Sequence, residues 1–285
     1  MKGKSGQVAI IGRPNTGKST LLNAIMEQKI SITSPLPQTT RRTVRAIYSD
    51  KKGKIYFSDT PGVLGKVVDQ IGKRVNVGAL KESENAEVLV CLFDISRPKS
   101  EEDNKIIGLA RKSKAKKILV YNKIDKAVES KDHLAEYNFL EEEFDKTIGV
   151  SALKGKNVKG LVNYIFELLP EREIEEGEDG LAIVTDSKKF IGEIVREKAY
   201  LYLRREVPYS TDVEVEKVVD KGKIIVVKAK VLTNQERYKR MIIGKDGHKI
   251  KQIGMHARKE LELMSGRKVF LELTVAVDKH WMERY

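Results

Sequence analysis

The run Gly12-Arg13-Pro14-Asn15-Thr16-Gly17-Lys18-Ser19 constrains this chain more than any other stretch. It follows the apolar run Val8-Ala9-Ile10-Ile11, which has the character of a buried strand, and it precedes Thr20-Leu21-Leu22-Asn23-Ala24-Ile25-Met26, which has helical spacing. A strand, a loop matching G-x-x-x-x-G-K-[ST] and a helix form the setting in which backbone N–H groups converge on a phosphate. The glycines let the backbone wrap closely, and the helix N-terminus adds the positive end of its dipole. Residues Gly12 to Ser19 are therefore assigned to phosphate binding, with Lys18 reaching the β- and γ-phosphates and the Ser19 hydroxyl ligating Mg²⁺.

Further polar signatures recur at the ends of apolar segments. Residues 30–42 hold Pro35, Pro37 and a run of hydroxyl side chains and are expected to form a loop. Residues 43–48 alternate as a strand, 50–53 form a turn, and 54–58 make the next strand, which ends in Asp59-Thr60-Pro61-Gly62. A carboxylate at that place can hold Mg²⁺ through water, and a glycine N–H can meet a γ-phosphate. Asp59, Thr60, Pro61 and Gly62 are therefore placed on the phosphate side. The preceding loop is expected to lend the same ion a hydroxyl, from Thr39 or Thr40. Residues 63–87 begin Val63-Leu64-Gly65 and then read as an amphipathic helix, with a strand predicted over 88–95, a helix over 101–112 and a strand over 118–121.

That last strand runs into Asn122-Lys123-Ile124-Asp125. The Asp125 carboxylate can accept from the N1–H and N2–H₂ donors of guanine, a paired pattern that adenine lacks. The Asn122 amide can meet the base edge and brace the phosphate loop, and the Lys123 stem can lie along the purine. A helix over about 130–144 and a strand over 147–150 lead to Ser151-Ala152-Leu153, a second base-contacting loop, and residues 157–169 close the unit as a helix before Pro170. Six strand signals alternating with helices predict a mostly parallel, doubly wound α/β sheet with every signature on its ligand-binding edge.

The formal net charge is +13, which points to an anionic partner. Residues 225–259 hold 10 basic and 2 acidic residues, so the charge concentrates in the C-terminal third. The single cysteine excludes an intramolecular disulfide and suits a reducing compartment. Met1–Gly6 is not followed by a signal-type apolar core, and no apolar run approaches a membrane span. Residues 171–180 are acidic and glycine-containing, which sets a GTP-binding domain at 1–172, a linker at 173–180 and a second domain at 181–285. The second domain reads helix, strand, strand, helix, helix, strand, with Gly244-Lys245-Asp246-Gly247 between its adjacent helices. That αββααβ order, an α+β plan, is that of a type II KH domain, whose glycine loop passes close to a nucleic-acid backbone. Lys239, Arg240, Ile243, Gly244, Lys245, Asp246, Gly247, Lys249, Ile250 and Lys251 are the expected RNA contacts.

The combination resembles the Era-type bacterial ribosome-assembly GTPases, from Gly6 to about Val277, through Gly12–Ser19, Gln38-Thr39-Thr40-Arg41, Asp59–Gly62, Asn122–Asp125, Ser151-Ala152 and Met241–Gly254. The resemblance implies a P-loop GTPase followed by a KH domain. It implies GTP hydrolysis coupled to binding single-stranded RNA near the 3′ end of small-subunit ribosomal RNA in the 30S precursor. It further implies a cytoplasmic monomer associated peripherally with the anionic inner membrane surface, and it makes Thr40 the Mg²⁺-binding switch threonine. Family members commonly extend further past the position of Trp281 than Met282–Tyr285 do here.

Lys18, Thr40, Gly62 and Asn15 are the expected catalytic set. Val63 stands where many small GTPases place a water-orienting glutamine, so intrinsic hydrolysis is expected to be slow. Asn15 occupies the position that related potassium-dependent GTPases use to hold K⁺. Two readings from other classes, a membrane-associated signalling GTPase and a GTP-using RNA-modifying factor, stay open at this level.

Overall fold

Strand β1 (Lys2–Ile11) lies inside the main sheet of a computed structural model that describes residues 2–34, 36, 41, 43–63, 70–126, 131–174, 180–183 and 186–284. The chain divides into two units, 1–184 and 185–285. In the first, β1 pairs in parallel with β3 (Gly53–Asp59) on one side and with β4 (Val88–Asp94) on the other. Strands β5 (Lys116–Asn122) and β6 (Lys146–Val150) continue the parallel sheet beyond β4. Beyond β3 lies β2 (Val44–Asp50), which pairs antiparallel to it. All seven residues of β4, Val-Leu-Val-Cys-Leu-Phe-Asp, are buried, as expected of a parallel strand covered on both faces.

Helices α1 (Lys18–Ile25) and α5 (Val158–Leu168) carry one core face, with Leu21, Leu22, Leu161 and Ile165 packed on Val8, Ile10, Val90 and Val120. Helices α2 (Gln70–Asn85) and α3 (Glu101–Lys112) cover the other, where Ala79, Ile106 and Ile107 meet Ala9, Ile11, Leu89 and Cys91. The α3 N-terminus is fixed by a capping box between Ser100 and Asp103. Cys91 is a buried thiol in this core, with its pKa pushed up to about 12 by burial, so it stays protonated.

The structure differs from the sequence reading in two places. The helix predicted over 130–144 is a short α4 (Lys131–Ala135) followed by a 3₁₀ turn, Asn138–Glu143. Tyr137 sits fully buried between the two, its ring 5.0 Å from that of Phe93 and its hydroxyl donating to Asp103 at 3.1 Å. Tertiary packing there overrides helical continuation. Among the described residues the sheet also has eight strands rather than six. The extra two fall in and beside the predicted linker: β7 (Glu171–Glu173) pairs antiparallel with the start of β1, and β8 (Gly180–Ile183) with β2. Both strands are too short and too acidic or glycine-edged to declare themselves by periodicity. The helix predicted to follow Val63-Leu64-Gly65 is present from Gln70, residues 64–69 lying outside the described residues.

The second unit packs α6 (Ser187–Tyr202), α7 (Glu236–Ile243) and α8 (His248–Ser265) with a three-stranded sheet. Strands β9 (Thr211–Asp220) and β10 (Ile224–Thr233) form an antiparallel hairpin, and β11 (Lys268–Val277) pairs in parallel with β10 after the α7–α8 crossover. Gly192 lets α6 approach β9: a Cβ there would lie 3.2 Å from the Val213 carbonyl. The Arg196 guanidinium is fully buried, ion-paired with Glu193, 4.0 Å from Asp212 and stacked over Tyr200. Removing that charge leaves buried carboxylates uncompensated. Arg196→Ala should therefore destabilise the second unit by about 3–5 kcal/mol, read in a denaturant titration through the fluorescence of Trp281, the chain's one tryptophan and a buried one.

Candidate functional site

The C-terminal ends of β1, β3, β4, β5 and β6 all open on one cavity of about 570 Å³. Its lining includes Pro14, Asn15, Gly17, Lys18, Ser19, Gly62, Asn122, Lys123, Asp125, Ala152 and Leu153, so three separately read sequence signatures share one space. The volume suits a nucleotide-sized ligand. Gly12, Thr16, Asp59, Thr60 and Ser151 stand behind that wall. The Thr16 hydroxyl donates to the Arg13 carbonyl at 3.0 Å and closes the loop on itself, and the Thr60 hydroxyl donates to the Ile10 carbonyl at 2.9 Å. The Arg13 guanidinium points away from the cavity and pairs with Asp103 at 2.9 Å, which leaves only its main chain on the phosphate side. Glycine is required at 17, where φ is +99° and a Cβ would sit 2.4 Å from the Asn122 amide nitrogen. At 62 a Cβ would lie 2.6 Å from the Pro14 nitrogen.

On the phosphate side, Lys18 Nζ donates to the carbonyls of Gly12 (3.1 Å) and Arg13 (2.9 Å). Burial pushes its pKa down to about 8, against the attraction of Asp59, with Arg97 adding to the lowering. Ser19 Oγ donates to Asp59 Oδ2 at 2.7 Å, while the buried Asp59 Oδ1 has no hydrogen-bond partner among the described residues. Burial raises the Asp59 pKa; Lys18 and hydroxyl donors from Ser19 and Ser31 pull the other way. A hydroxyl and an orphaned carboxylate oxygen beside a backbone cradle form an all-oxygen donor set that fits Mg²⁺. Among the described residues no three His, Cys, Asp or Glu side chains cluster as metal ligands, so the rest of such an ion's shell has to come from ligand oxygens and water. Thr39 and Thr40 lie outside the described residues.

On the base side, Asn122 is the joint. Its amide nitrogen donates to the Thr16 carbonyl at 2.7 Å, and its amide oxygen accepts from Ala152 N–H at 3.0 Å. Asp125 accepts from the Ser151 hydroxyl at 2.5 Å, and Lys123, with φ +68°, donates to the Asn15 carbonyl at 2.9 Å and to Asp94 at 2.6 Å. Sequence reasoning missed Asp94, Ser96 and Arg97. Burial raises the Asp94 pKa, but hydrogen bonds from Lys123 and Ser96 and the charges of Lys123 and Arg97 hold it below the usual carboxylate range. Arg97 lies 2.7 Å from Asp94 and donates to the Pro14 carbonyl at 2.8 Å. The available signal was their place, just past a buried parallel strand, where every other polar residue had been given a task.

In the second unit three of the four residues of the Gly244–Gly247 turn have positive φ, +74° at Gly244, +51° at Asp246 and +73° at Gly247. Lys245 projects into solvent and Ile243, Lys249 and Ile250 are partly covered. Beside the turn, Ile250, Lys251, Gly254, Met255 and Arg258 of α8 and Leu271 and Leu273 of β11 line a groove of about 340 Å³. Lys239 and Arg240 sit on α7, which leads into the turn, and are not in that lining. The β11 wall and Arg258 were not legible from the glycine signature.

Comparison with known proteins assigns both units. A family model described as 50S ribosome-binding GTPase matches residues 7–123, and a KH domain model matches residues 206–282. GTPase Era of Clostridioides difficile is 37% identical, over 98% of this chain and 94% of its own length. GTPase Era of Thermotoga maritima is also 37% identical, over 99% and 94%. A crystal structure of Era in complex with MgGDPNP and nucleotides 1506–1542 of 16S ribosomal RNA superposes with a TM-score of 0.91 at 36% identity, covering 99% of this chain and 96% of that one. A variant of Aquifex aeolicus Era bound to GDP and aluminium fluoride gives a TM-score of 0.91 and 36% identity as well.

The lowered Lys18 pKa has a calorimetric consequence. Between about 8 and a lysine's ordinary 10.5 the folded chain without ligand holds fewer protons at Lys18 than the unfolded chain, so Lys18 makes stability rise with pH across that window. A bound polyphosphate favours the ammonium form. Nucleoside triphosphate binding at pH 8.5 should take up a substantial fraction of a proton at Lys18, and much less at pH 7, measured by titration calorimetry in buffers of different ionisation enthalpy.

Proposed function

The chain belongs to the Era family of GTPases, and on that premise we propose that it works as a GTP-hydrolysing switch in small ribosomal subunit assembly, its second unit binding single-stranded RNA near the 3′ end of small-subunit ribosomal RNA in the 30S precursor. The observation that carries this reading is the bond from Asn122 to the Thr16 carbonyl. It makes the guanine loop and the phosphate loop one cavity, in a chain whose other unit carries the KH glycine turn.

Asp125, oriented by Ser151, accepts from guanine N1–H and N2–H₂, while Lys123 and Leu153 flank the purine and Ala152 N–H lies next to its edge. Backbone groups of residues 12–19 cradle the phosphates, and Lys18 exchanges its loop carbonyls for phosphate oxygens. Ser19, Asp59 through water and Thr40 hold Mg²⁺, and Gly62 N–H meets the γ-phosphate. When bound, Mg²⁺ neutralises charge on the β- and γ-oxygens. Val63 is buried in the core, with its N–H donating to the Gly12 carbonyl at 3.2 Å, and its side chain offers no atom to orient water. Hydrolysis is accordingly slow. Asn15 lines the cavity and would be the residue to hold K⁺, an ion that would supply positive charge beside the phosphates.

Lys245, Lys249, Lys251, Lys239 and Arg240 neutralise RNA phosphates, and the groove beside Gly244–Gly247 receives the bases. The same basic surface supports weak, peripheral attachment of a cytoplasmic monomer to an anionic membrane. Among the described residues no helix is long and apolar enough to cross one.

Crosslinking the protein to total cellular RNA and sequencing the adducts should give a peak near the small-subunit 3′ end; a spread over messenger RNA would sink the ribosomal reading. Replacing K⁺ by Na⁺ should slow hydrolysis. An unchanged rate, with and without RNA, would remove Asn15 from the cation role.

A further inference from the structure

Asp59 has a second hydroxyl partner that no sequence signature flagged. Ser31 Oγ donates to Asp59 Oδ2 at 2.8 Å, on the same oxygen that accepts from Ser19 Oγ. Both Ser31 and Asp59 are fully enclosed, at 1% and 0% exposure. Ser31 is in turn pinned by Asn23 of α1, whose Oδ1 accepts from the N–H groups of Ile30 and Ser31, each at 2.9 Å, and whose Nδ2 donates to the Ser31 carbonyl at 2.8 Å. Helix α1 therefore reaches Asp59 twice, directly through Ser19 and indirectly through Asn23 and Ser31.

A carboxylate held by one hydroxyl can still swing about its terminal torsion. Two donors on one oxygen, arriving from different segments, fix the plane of the group. They also determine which oxygen is left over: Oδ1, the buried atom with no partner among the described residues. We infer that Ser31 is a positioning residue of the magnesium site. It fixes the Asp59 carboxylate so that Oδ1 is presented to the metal's water shell, and Asn23 fixes Ser31. This rests on the Mg²⁺-nucleotide reading above and adds to it a role for residues outside its signatures.

The test follows release of fluorescently labelled GDP from the full chain as MgCl₂ is titrated, and again in EDTA. Wild-type release should slow as Mg²⁺ rises. Ser31→Ala should move the Mg²⁺ midpoint upward by about ten-fold, the lower end of what loss of an outer-shell partner costs in metal affinity. Its EDTA release rate should stay within about two-fold of wild type, since the hydroxyl serves the metal site alone. Asn23→Ala should shift the midpoint in the same direction. An unchanged midpoint in Ser31→Ala would overturn the inference. So would equal acceleration with and without Mg²⁺, which marks general loosening of the site, or a shift in Asn23→Ala alone. Wild-type release indifferent to Mg²⁺ would bring down the Mg²⁺-nucleotide reading itself, a result distinct from a failure of Ser31.

Discussion

The first unit depends on a single side-chain amide. Asn122 is almost fully buried and spends both ends of its amide on main chain, one on the phosphate loop at Thr16 and one on the Ser151–Leu153 loop at Ala152. In a low-dielectric interior an unmade bond of this kind costs more than a made one gains, so both loops are held at one distance from β5. Asp125, Lys123 and the phosphate cradle inherit their relative positions from that joint. The missing Cβ at Gly17 belongs to it as well: the glycine leaves room for the Asn122 amide in addition to freeing the loop backbone.

A second network runs parallel to it. The Asp94 carboxylate gathers Lys123, Ser96 and Arg97, and two of these reach back to consecutive carbonyls of the phosphate loop, Arg97 to Pro14 and Lys123 to Asn15. Residues 14 and 15 are thereby held from the base side, while Ser19 is held from the Asp59 side. The loop has few free degrees of motion left before any ligand arrives, which is the preorganisation that phosphate chemistry requires.

What the sequence made legible follows from how local each cause is. The phosphate loop, Asn122–Asp125 and the glycine turn at 244–247 declare themselves because backbone geometry or a base edge dictates residue type over a few consecutive positions. The bounds of α3 were equally readable, since the helix predicted over 101–112 runs from Glu101 to Lys112. Ser31, Asn23, Asp94 and Arg97 were not, because their task is set by partners far away in sequence and their identities are ordinary for loops. The buried Tyr137 shows the same limit in the fold. Its helix-compatible surroundings were outvoted by the packing of its ring on Phe93 and its hydroxyl on Asp103.

Strand β8 is short, yet it decides where the first unit ends. By pairing with β2 over Ala46–Ser49 it occupies an edge that would otherwise present a row of unsatisfied N–H and C=O groups. A fragment stopped at residue 172, where the acidic composition invites a cut, would keep the phosphate loop and the base loop but expose that edge to other copies of itself. Such a fragment would lose its colloidal behaviour before it lost its chemistry. A piece that keeps this edge of β2 covered runs through Ile183.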